Sequence, residues 1–479
     1  MSNASHPRFT LIGSGLAGAL LAAYLGRKGY EVDLYERRED PNAGNFVGGR
    51  SINLALSTRG IAALERVGLA KNVLSAAIPM RGRMIHGPHG DLHYQPYDKD
   101  PNRYINSIGR AALNSATLAA AQKHGNVRVH FNHRCTEVDL DRPAARLIDT
   151  TRNQPVEAMG DIVIGVDGAF SAVRRSMQRL DRFDYSQDYL RHGYKELTIP
   201  PKSDGGFVME KNALHIWPRH SFMMIALPNP DGSFTCTLFY PFEGPSSFAA
   251  LKGDDDVRRL FDREFRDAVP LMPTLLEDFN GNPTGSMVTV RCGPWNYGAK
   301  VALLGDAAHA VVPFYGQGAN AAFEDCIVLD ECIDAHAPNW ERVFDEYARI
   351  RKPHCDALAT LAVENFYEMR DKTASTAFRW RKKFERTLHK FVPGMFTPLY
   401  TMVSFTRVPY ADAVQKARRQ DIVVAIVLSL VMVIIPAAIM ARAGEMRMPQ
   451  SLTLMATIVY TMVMILYARA VVRRRRREK

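Results

Sequence analysis

The sequence lacks cysteine motifs. Its 479 residues contain six cysteines, and none stands in a CxxC pair or in a spacing typical of a zinc site. This pattern excludes a disulfide-stapled scaffold and predicts free thiols in a reducing compartment. An apolar fraction of 47% and a charged fraction of 23% also exclude a disordered or collagen-like chain. The length exceeds that of one typical domain, so we expect more than one.

Positive charge is in excess only near the C-terminus. The formal net charge is +11, but the last eleven residues contain seven basic residues and one glutamate. The remaining +5 is small for a chain of this size, so no nucleic-acid partner is expected. A secretory signal peptide is not expected either, because glycines interrupt the apolar stretch Phe9–Leu25 and no small-residue cleavage site follows it.

Two long apolar runs stand near the C-terminus. The run Ile422–Ala441 has no charged residue, and as a helix it would reach the roughly 30 Å of a bilayer core. The run Leu452–Ala468 is shorter. We therefore predict two transmembrane helices in contact with a lipid bilayer, or one span with the second run lying in the interface. More basic residues flank this pair of runs than lie in the segment that connects them. That bias predicts a C-terminally membrane-anchored protein with a cytoplasmic catalytic domain, in a bacterial inner membrane or a mitochondrial outer membrane.

Between these ends, short β-rich runs alternate with helical stretches, which predicts an α/β fold. Phe9–Gly13 and Glu31–Glu36 are predicted strands around a helix from Leu16 to Lys28. Arg219–Leu227 and Ser233–Tyr240 alternate around a Pro-Asn-Pro-Asp-Gly turn, which predicts an antiparallel sheet. The predicted fold is a Rossmann-like domain with an inserted antiparallel β domain, a C-terminal helical region and the two transmembrane helices. The predicted segments are a nucleotide-binding domain (1–75, 101–185 and 291–335), a substrate domain (76–100 and 186–290), a helical region (336–420) and a membrane hairpin with a basic tail (421–479).

A glycine-rich turn follows the first predicted strand. Its sequence, Gly13-Ser14-Gly15-Leu16-Ala17-Gly18, opens the first predicted helix, whose N-terminus can face a pyrophosphate. Glu36 lies at the end of the second predicted strand, where an acid can accept hydrogen bonds from ribose hydroxyls. These features predict a dinucleotide site, and by spacing alone NAD and FAD are equally possible.

Two later motifs distinguish these cofactors. A DGxxSxxR stretch runs from Asp167 to Arg174, and Gly305-Asp306-Ala307-Ala308-His309 precedes the Gly-Gln-Gly of residues 316–318. Together with the first glycine motif they resemble the group A FAD-dependent aromatic hydroxylases, which have the p-hydroxybenzoate hydroxylase fold. The resemblance implies bound FAD, with Asp306 at its ribityl chain and the 316–320 loop along its ring. No second glycine motif of the first type with strand and acid is present, which fits a nicotinamide cofactor without its own Rossmann domain.

Four further stretches narrow the resemblance. Gly49–Ser57, Met80–His86, Glu364–Arg370 and Pro398–Val403 resemble the kynurenine 3-monooxygenase family over residues 8–414. This implies hydroxylation of L-kynurenine to 3-hydroxy-L-kynurenine in tryptophan degradation, with NADPH and O2 and through a flavin C4a-hydroperoxide. The alternatives are a hydroxylase of another aromatic acid, a flavin reductase of lipid-soluble substrates and a membrane-bound flavin sensor. The sequence leaves the oligomeric state open.

The resemblance also implies site residues. For Arg83 a physical argument stands beside it, since arginine presents the bidentate geometry that a buried carboxylate needs. No side chain is assigned as a catalytic acid or base, and His309 is expected to support its loop. No metal is expected at His86, His89 and His93. The implied substrate-binding residues are Arg83, Tyr97, Phe314, Tyr315, Asn365 and Tyr400. The implied FAD-binding residues are Gly13, Gly15, Leu16, Ala17, Gly18, Glu36, Arg37, Arg38, Ala55, Arg110, Asp167, Asp306, Gly318, Ala319 and Asn320.

Overall fold

The computed structural model of the protein describes residues 6–41, 53–372 and 396–442, with side chains as far as residues 370 and 426 in the last two ranges. By contact, the chain divides into one unit of residues 1–393 and 397–413 and another of residues 394–396 and 414–479. All the predicted site residues lie in the first unit. Residues 49–52 of the family motif and the apolar run Leu452–Ala468 lie outside the described residues.

The elements are numbered in chain order. The strands are β1 (Phe9–Ile12), β2 (Val32–Tyr35), β3 (Leu54–Leu56), β4 (Ile78–Met80), β5 (Gly82–His86), β6 (Leu92–Pro96), β7 (Ile105–Ile108), β8 (Val127–His130), β9 (His133–Asp139), β10 (Ala144–Asp149), β11 (Gln154–Met159), β12 (Ile162–Gly165), β13 (Asp184–Ile199), β14 (Ala213–Arg219), β15 (Phe222–Pro228), β16 (Phe234–Pro241), β17 (Gly285–Gly293), β18 (Asn296–Tyr297) and β19 (Val301–Leu303). The helices are α1 (Leu16–Arg27), α2 (Thr58–Glu65), α3 (Ala70–Ser75), α4 (Arg110–Gln122), α5 (Ala172–Met177), α6 (Asp254–Glu264), α7 (Leu275–Gly281), α8 (Asp306–His309), α9 (Gly318–His336), α10 (Trp340–Tyr367), α11 (Leu399–Phe405) and α12 (Tyr410–Arg442). Short 3-10 turns occupy Phe248–Ala250, Val269–Leu271 and Pro313–Tyr315, and a π-helical turn occupies Glu368–Lys372.

A mainly parallel sheet forms the nucleotide-binding part. Its strand order is β18-β19-β12-β1-β2-β8, and β1 pairs in parallel with both β2 and β12. Every residue of β1 and β12 is buried, as expected for strands covered on both faces. Helix α1 is buried along most of its length because it packs between the sheet and helices α4 and α9. The predicted α/β core is therefore confirmed, with strand ends that differ by one or two residues.

A second sheet has seven strands, none of which belongs to the first sheet. Its order is β17-β13-β16-β15-β14-β5-β6, and all its neighbours are antiparallel except β14 and β5. The predicted antiparallel pair is present as β15 and β16. The parallel register of β5 and β14 sets Arg83 opposite Leu214. Residues 82–96 thus share a sheet with residues 184–293, whereas the predicted domain boundaries themselves stay a prediction.

The C-terminal helical region begins at α10. Asn339 caps this helix, since its side chain accepts a hydrogen bond of 3.1 Å from the Arg342 backbone N–H. Helix α10 packs along α9, and its last turns reach the 3-10 turn Pro313–Tyr315. This contact brings the helical region against the loop that the sequence assigns to the flavin.

The prediction of two transmembrane helices requires correction. Across the described parts of the chain, no helix has the length and apolar character needed to cross a membrane. The expected membrane-anchored location and lipid-bilayer partner lose their structural basis with this finding.

Candidate active site

The turn between β1 and α1 is shaped by three glycines. Gly13 has φ +106°, and a Cβ there would lie 2.7 Å from the Val166 carbonyl oxygen. At Gly18 a Cβ would lie 1.9 Å from the Gly13 carbonyl oxygen, so the helix can approach the turn only without a side chain. At Gly15, by contrast, nothing lies within 4 Å of a Cβ position. The turn therefore leaves an open cradle at the N-terminus of α1, where Leu16 and Ala17 begin the helix and a phosphate is favoured.

Glu36 closes one side of this turn. Its carboxylate accepts hydrogen bonds from the Ser14 backbone N–H at 2.9 Å and from the Arg38 Nε at 2.8 Å. Burial opposes ionisation of this carboxylate, but the hydrogen bonds and charge of Arg38 outweigh it and hold the pKa of Glu36 below its ordinary value. Glu36 is therefore an anionic acceptor beside the glycine turn. The neighbouring Arg37 is exposed.

The DGxxSxxR motif joins the GDAAH motif through its arginine. Arg174 is buried and donates a hydrogen bond of 2.7 Å to the Ala307 carbonyl oxygen. Asp167 Oδ2 accepts from the Ala172 backbone N–H at 2.7 Å, while its buried Oδ1 has no hydrogen-bond partner among the described residues. Burial raises the pKa of Asp167. The orphaned oxygen beside the glycine cradle fits a polar ligand that supplies the missing donor.

The loop before α9 is held by one asparagine. The Asn320 side chain accepts from the Ser57 backbone N–H at 2.9 Å and donates to the carbonyl oxygens of Ala55 and Gly316, both at 2.8 Å. Gly318 and Ala319 form the first turn of α9, whose backbone N–H groups are not used within the helix. The remaining predicted FAD contacts, Asp306 and Arg110, are the first residues of α8 and α4. Of the residues assigned to FAD, Gly13, Glu36, Asp167 and Asp306 each come shortly after the carboxyl end of a strand of the parallel sheet, the edge at which dinucleotide folds bind their ligand.

Arg83 stands among three tyrosines. Its guanidinium carbon lies 5.0 Å from the ring centre of Tyr400 and 5.6 Å from that of Tyr97. The ring of Tyr400 stacks on Tyr97 at 5.4 Å and on Tyr315 at 5.6 Å. Strand β5, the residue after β6, the 3-10 turn and α11 each contribute one of these four residues. The sequence-predicted substrate residues Arg83, Tyr97, Tyr315 and Tyr400 are therefore brought together from four distant parts of the chain.

The electrostatics of this cluster favour an anionic ligand. Burial disfavours the charged guanidinium, but Tyr400, Tyr97 and Glu368 outweigh it and raise the pKa of Arg83 above its ordinary value. Burial, and then the neighbouring Tyr400, raise the pKa of Tyr97 well above its ordinary value, so the phenol stays protonated at neutral pH. Among the described residues, Arg83 Nε and the Tyr97 hydroxyl have no hydrogen-bond partner. Two unsatisfied donors, one of them cationic, therefore point to a carboxylate.

An apolar cluster adjoins Arg83, Tyr97, Tyr315 and Tyr400, which we name the clamp. Phe314 lies 4.3 Å from Phe366 and 4.8 Å from Phe239 between ring centres, and Ile85 and Leu214 pack on the same cluster. Asn365 is one of the residues that the resemblance assigns to substrate binding. In the structure it is buried, and its side-chain Nδ2 donates to the Phe314 carbonyl oxygen at 2.6 Å. Phe314 thus belongs to an aromatic wall, and Asn365 holds that wall.

Sequence reasoning missed a buried ion network behind the loop. The Asp325 carboxylate lies 2.5 Å from His309 Nε2 and 2.6 Å from Arg351 Nε. The Glu324 carboxylate lies 2.5 Å from a terminal guanidinium nitrogen of Arg59. The five residues come from four helices, so no spacing in the sequence reveals the pairing. The expectation that His309 supports its loop is consistent with this contact. His309, Asp325 and Cys355 also stand close enough to hold a cation, but Arg351 contacts the same carboxylate and satisfies it.

Comparisons with known proteins identify the fold and the family. The family described as FAD binding domain matches residues 9–362. The solved structure of 2-methyl-3-hydroxypyridine-5-carboxylic acid oxygenase superposes with a TM-score of 0.63 at 20% identity, covering 78% of this chain and 95% of that one. That of p-nitrophenol 4-monooxygenase PnpA from Pseudomonas putida gives 0.60 at 18% identity, covering 80% and 94%. These two likenesses concern the fold. The family match makes the chain an FAD-binding-domain protein.

Sequence relatives are more specific. A kynurenine 3-monooxygenase of Myxococcus xanthus is 49% identical over 421 residues, which cover 88% of this chain and 90% of that protein. The enzyme of the same name from Dictyostelium discoideum is 46% identical over 416 residues, covering 84% and 89%. The chain belongs to the kynurenine 3-monooxygenase family.

Proposed function

We propose that this protein hydroxylates L-kynurenine to 3-hydroxy-L-kynurenine, with FAD as bound cofactor, O2 as oxidant and NADPH as reductant. The observation that carries the proposal is the pair of unsatisfied donors at Arg83 and Tyr97, set beside an apolar aromatic cluster. L-Kynurenine has matching chemistry, since it joins an amino-acid carboxylate to an aminophenyl ring.

Binding divides between these two regions. Arg83 pairs with the substrate carboxylate, and Tyr97, Tyr315 and Tyr400 enclose the charged pair, which limits its exposure to water. Phe314 and its partners offer the aromatic ring an apolar wall. The ring amine of kynurenine enriches both its ortho and its para carbon in electrons, so the orientation of the ring in the site has to select the position next to the amine. The protein therefore orients a reactive ring and keeps its surroundings dry.

The glycine turn and the residues around it would hold FAD. The open cradle at Gly15 and the N-terminus of α1 would hold the pyrophosphate, and Glu36 would accept from ribose hydroxyls. The unpartnered oxygen of Asp167 and the first residues of α8 and α9 would face the rest of the cofactor. When bound, FAD supplies the redox chemistry, taking electrons from the reduced nicotinamide and activating O2. The proposed reductant is NADPH rather than NADH.

Substrate-stimulated NADPH oxidation by the purified, FAD-loaded protein tests this function. We expect L-kynurenine to accelerate NADPH oxidation and to gain one oxygen atom, detected by mass spectrometry. Kynuramine, which lacks the carboxylate, is the matched control and should be a far poorer substrate because it cannot pair with Arg83. Equal turnover of both compounds would contradict the carboxylate assignment. Hydroxylation of another aromatic acid alone would indicate a different substrate, and no stimulation by any aromatic acid would contradict the enzyme function.

A further inference from the structure

Tyr400 reaches the clamp on a segment that comes late in the chain. Residues 397–413 contain α11 and the first residues of α12, and they belong to the same compact unit as the clamp and the nucleotide-binding sheet. The position of Tyr400 therefore depends on how this segment, which we name the clamp segment, is attached to the rest of the unit.

Arg59 makes one such attachment, and the Thr401 hydroxyl makes another by donating to Asp98 Oδ2 at 3.0 Å. Arg59 lies on α2, its side chain is fully buried, and its guanidinium donates to the Val408 carbonyl oxygen. The guanidinium carbon also lies 4.0 Å from the ring centre of Tyr410. One planar cation thus binds the clamp segment through a backbone hydrogen bond and a cation–π contact, an arrangement for which arginine is better suited than lysine.

The same contacts reach the flavin loop. The Tyr410 hydroxyl and the Gln317 Oε1 are 3.0 Å apart, and Gln317 Nε2 donates to the Ser57 hydroxyl at 3.1 Å. Arg59 itself pairs with Glu324 on α9, the helix that begins with the loop residues Gly318 and Ala319. Glu324 in turn binds Arg351 at 2.7 Å, so its charge is compensated on both oxygens.

We propose that Arg59 is a positioning residue for hydroxylation, because it sets the place of Tyr400 in the carboxylate clamp and fixes the clamp segment to the loop at the flavin. Arg59 contacts Tyr410, Val408 and Glu324, and it acts on the clamp through them. This inference rests on the proposed function, since it takes the Arg83–Tyr97–Tyr400 cluster to be the site of the kynurenine carboxylate.

The test is binding of L-kynurenine to Arg59→Lys, measured by calorimetry on the full, FAD-loaded chain without NADPH. We expect Kd to rise about tenfold, the effect of losing one hydrogen bond to a charged group. The fraction of oxidised NADPH that yields hydroxylated product should fall as well. The matched control is Arg66→Lys, because Arg66 also ties the end of α2 to α9, through Asp330 at 3.3 Å, without touching the clamp segment. Its Kd should stay within about twofold of the wild type.

Three comparisons decide the inference. In a Tyr400→Leu background, Arg59→Lys should no longer change Kd, because effects transmitted through one residue are not additive. A tenfold effect that persists there, or an unchanged Kd in the single variant, would overturn the inference while leaving the proposed function intact. If Arg59→Lys does not retain FAD, Tyr410→Phe decides: Kd should rise about threefold, as for one lost neutral hydrogen bond, and an unchanged Kd overturns the inference. A wild type that does not bind L-kynurenine removes the proposed function and this inference together.

Discussion

The guanidinium of Arg83 lies 5.0 Å from the ring centre of Tyr400, although one residue stands on a strand of the antiparallel sheet and the other on a helix near the C-terminus. The contact is between a cation and an aromatic face. A residue held in this way is oriented before its anionic partner arrives, which reduces the entropy lost on binding.

Replacing Arg83 tests the clamp directly. Arg83→Met should retain FAD, because Arg83 lies outside the glycine turn and the two later flavin motifs. The KM for L-kynurenine should rise by about thirtyfold or more, since truncating one partner of a buried charge pair costs about 2–5 kcal/mol. Steady-state kinetics measure this change. Arg81→Met is the control, because Arg81 is exposed on the same chain stretch and donates to the Pro101 carbonyl oxygen. Equal KM values for the two variants would remove Arg83 from the site.

Two glycines separate helix packing from cofactor binding. Gly18→Ala should lower the free energy of unfolding of the apoprotein by about 1–3 kcal/mol, because its Cβ would meet the Gly13 carbonyl oxygen at 1.9 Å. Gly15→Ala should leave the apoprotein stable, since no atom lies within 4 Å of the added methyl group, and should weaken FAD binding instead. Denaturant unfolding and FAD titration measure the two effects. A Gly15→Ala protein with wild-type FAD affinity would show that the open space is not the cofactor cradle.

Glu36 offers a test of the ribose end. Glu36→Gln keeps the shape of the side chain but removes the anionic acceptor, so FAD should dissociate more readily, with a loss of about 1.5–3 kcal/mol as for hydrogen bonds to charged groups. The ratio of flavin to protein absorbance after gel filtration reports the retained FAD. Glu31→Gln serves for comparison, because Glu31 is an exposed residue just before the same strand. Full flavin retention in Glu36→Gln would count against its assigned contact.

His215 should make the fold sensitive to acid. Burial, with a contribution from the neighbouring His86, lowers the pKa of His215 to about 4. Its Nε2 donates to the Glu210 carbonyl oxygen at 2.8 Å, and its Nδ1 faces His86 Nε2 at 2.9 Å, so the neutral ring is fully engaged. The unfolded chain takes up this proton near pH 6.5 and the folded chain only near 4, so stability falls as the pH drops through that window.

From pH 7 to pH 5 this residue should account for about 2 kcal/mol of lost unfolding free energy. Denaturant unfolding at both pH values measures it. His215→Gln preserves one donor and one acceptor but has no titrating ring, so its loss over the same range should be smaller by that amount. His89→Gln, at an exposed position, should behave as the wild type does. Identical pH dependence in His215→Gln would contradict the assignment.

Local features of this protein are predictable from its sequence because their causes are local. Gly13, Gly15 and Gly18 fall within one turn, and the backbone geometry of a strand–helix junction requires small residues at those positions. The strands of the parallel sheet are predictable for a similar reason, since burial on both faces demands a continuous apolar run. The resemblance of four stretches to one family then assigned the clamp residues, and the structure brings Arg83, Tyr97, Tyr315 and Tyr400 together.

Features that depend on distant partners were not predictable. Arg59 and Glu324 are 265 positions apart, and a single buried ion pair leaves no periodic signal in the sequence. Asn365 was assigned to the substrate by resemblance, and only the fold reveals its bond to the Phe314 carbonyl oxygen. Hydropathy led to a wrong prediction at residues 422–441, because among the described residues no helix is long and apolar enough to cross a membrane.

The order of strands in the parallel sheet has a consequence for how the protein is made. Strand β1 precedes the other strands in the chain, yet it lies between β2 and β12, and β12 pairs further with β19 at residues 301–303. While the chain is growing, the glycine turn therefore lacks β12 until residue 165 has emerged, and the GDAAH turn follows only after β19. A ribosome-bound chain that stops before residue 301 lacks both β19 and the GDAAH turn. We therefore expect FAD capture to follow the synthesis of β19, and chains truncated before it to remain colourless.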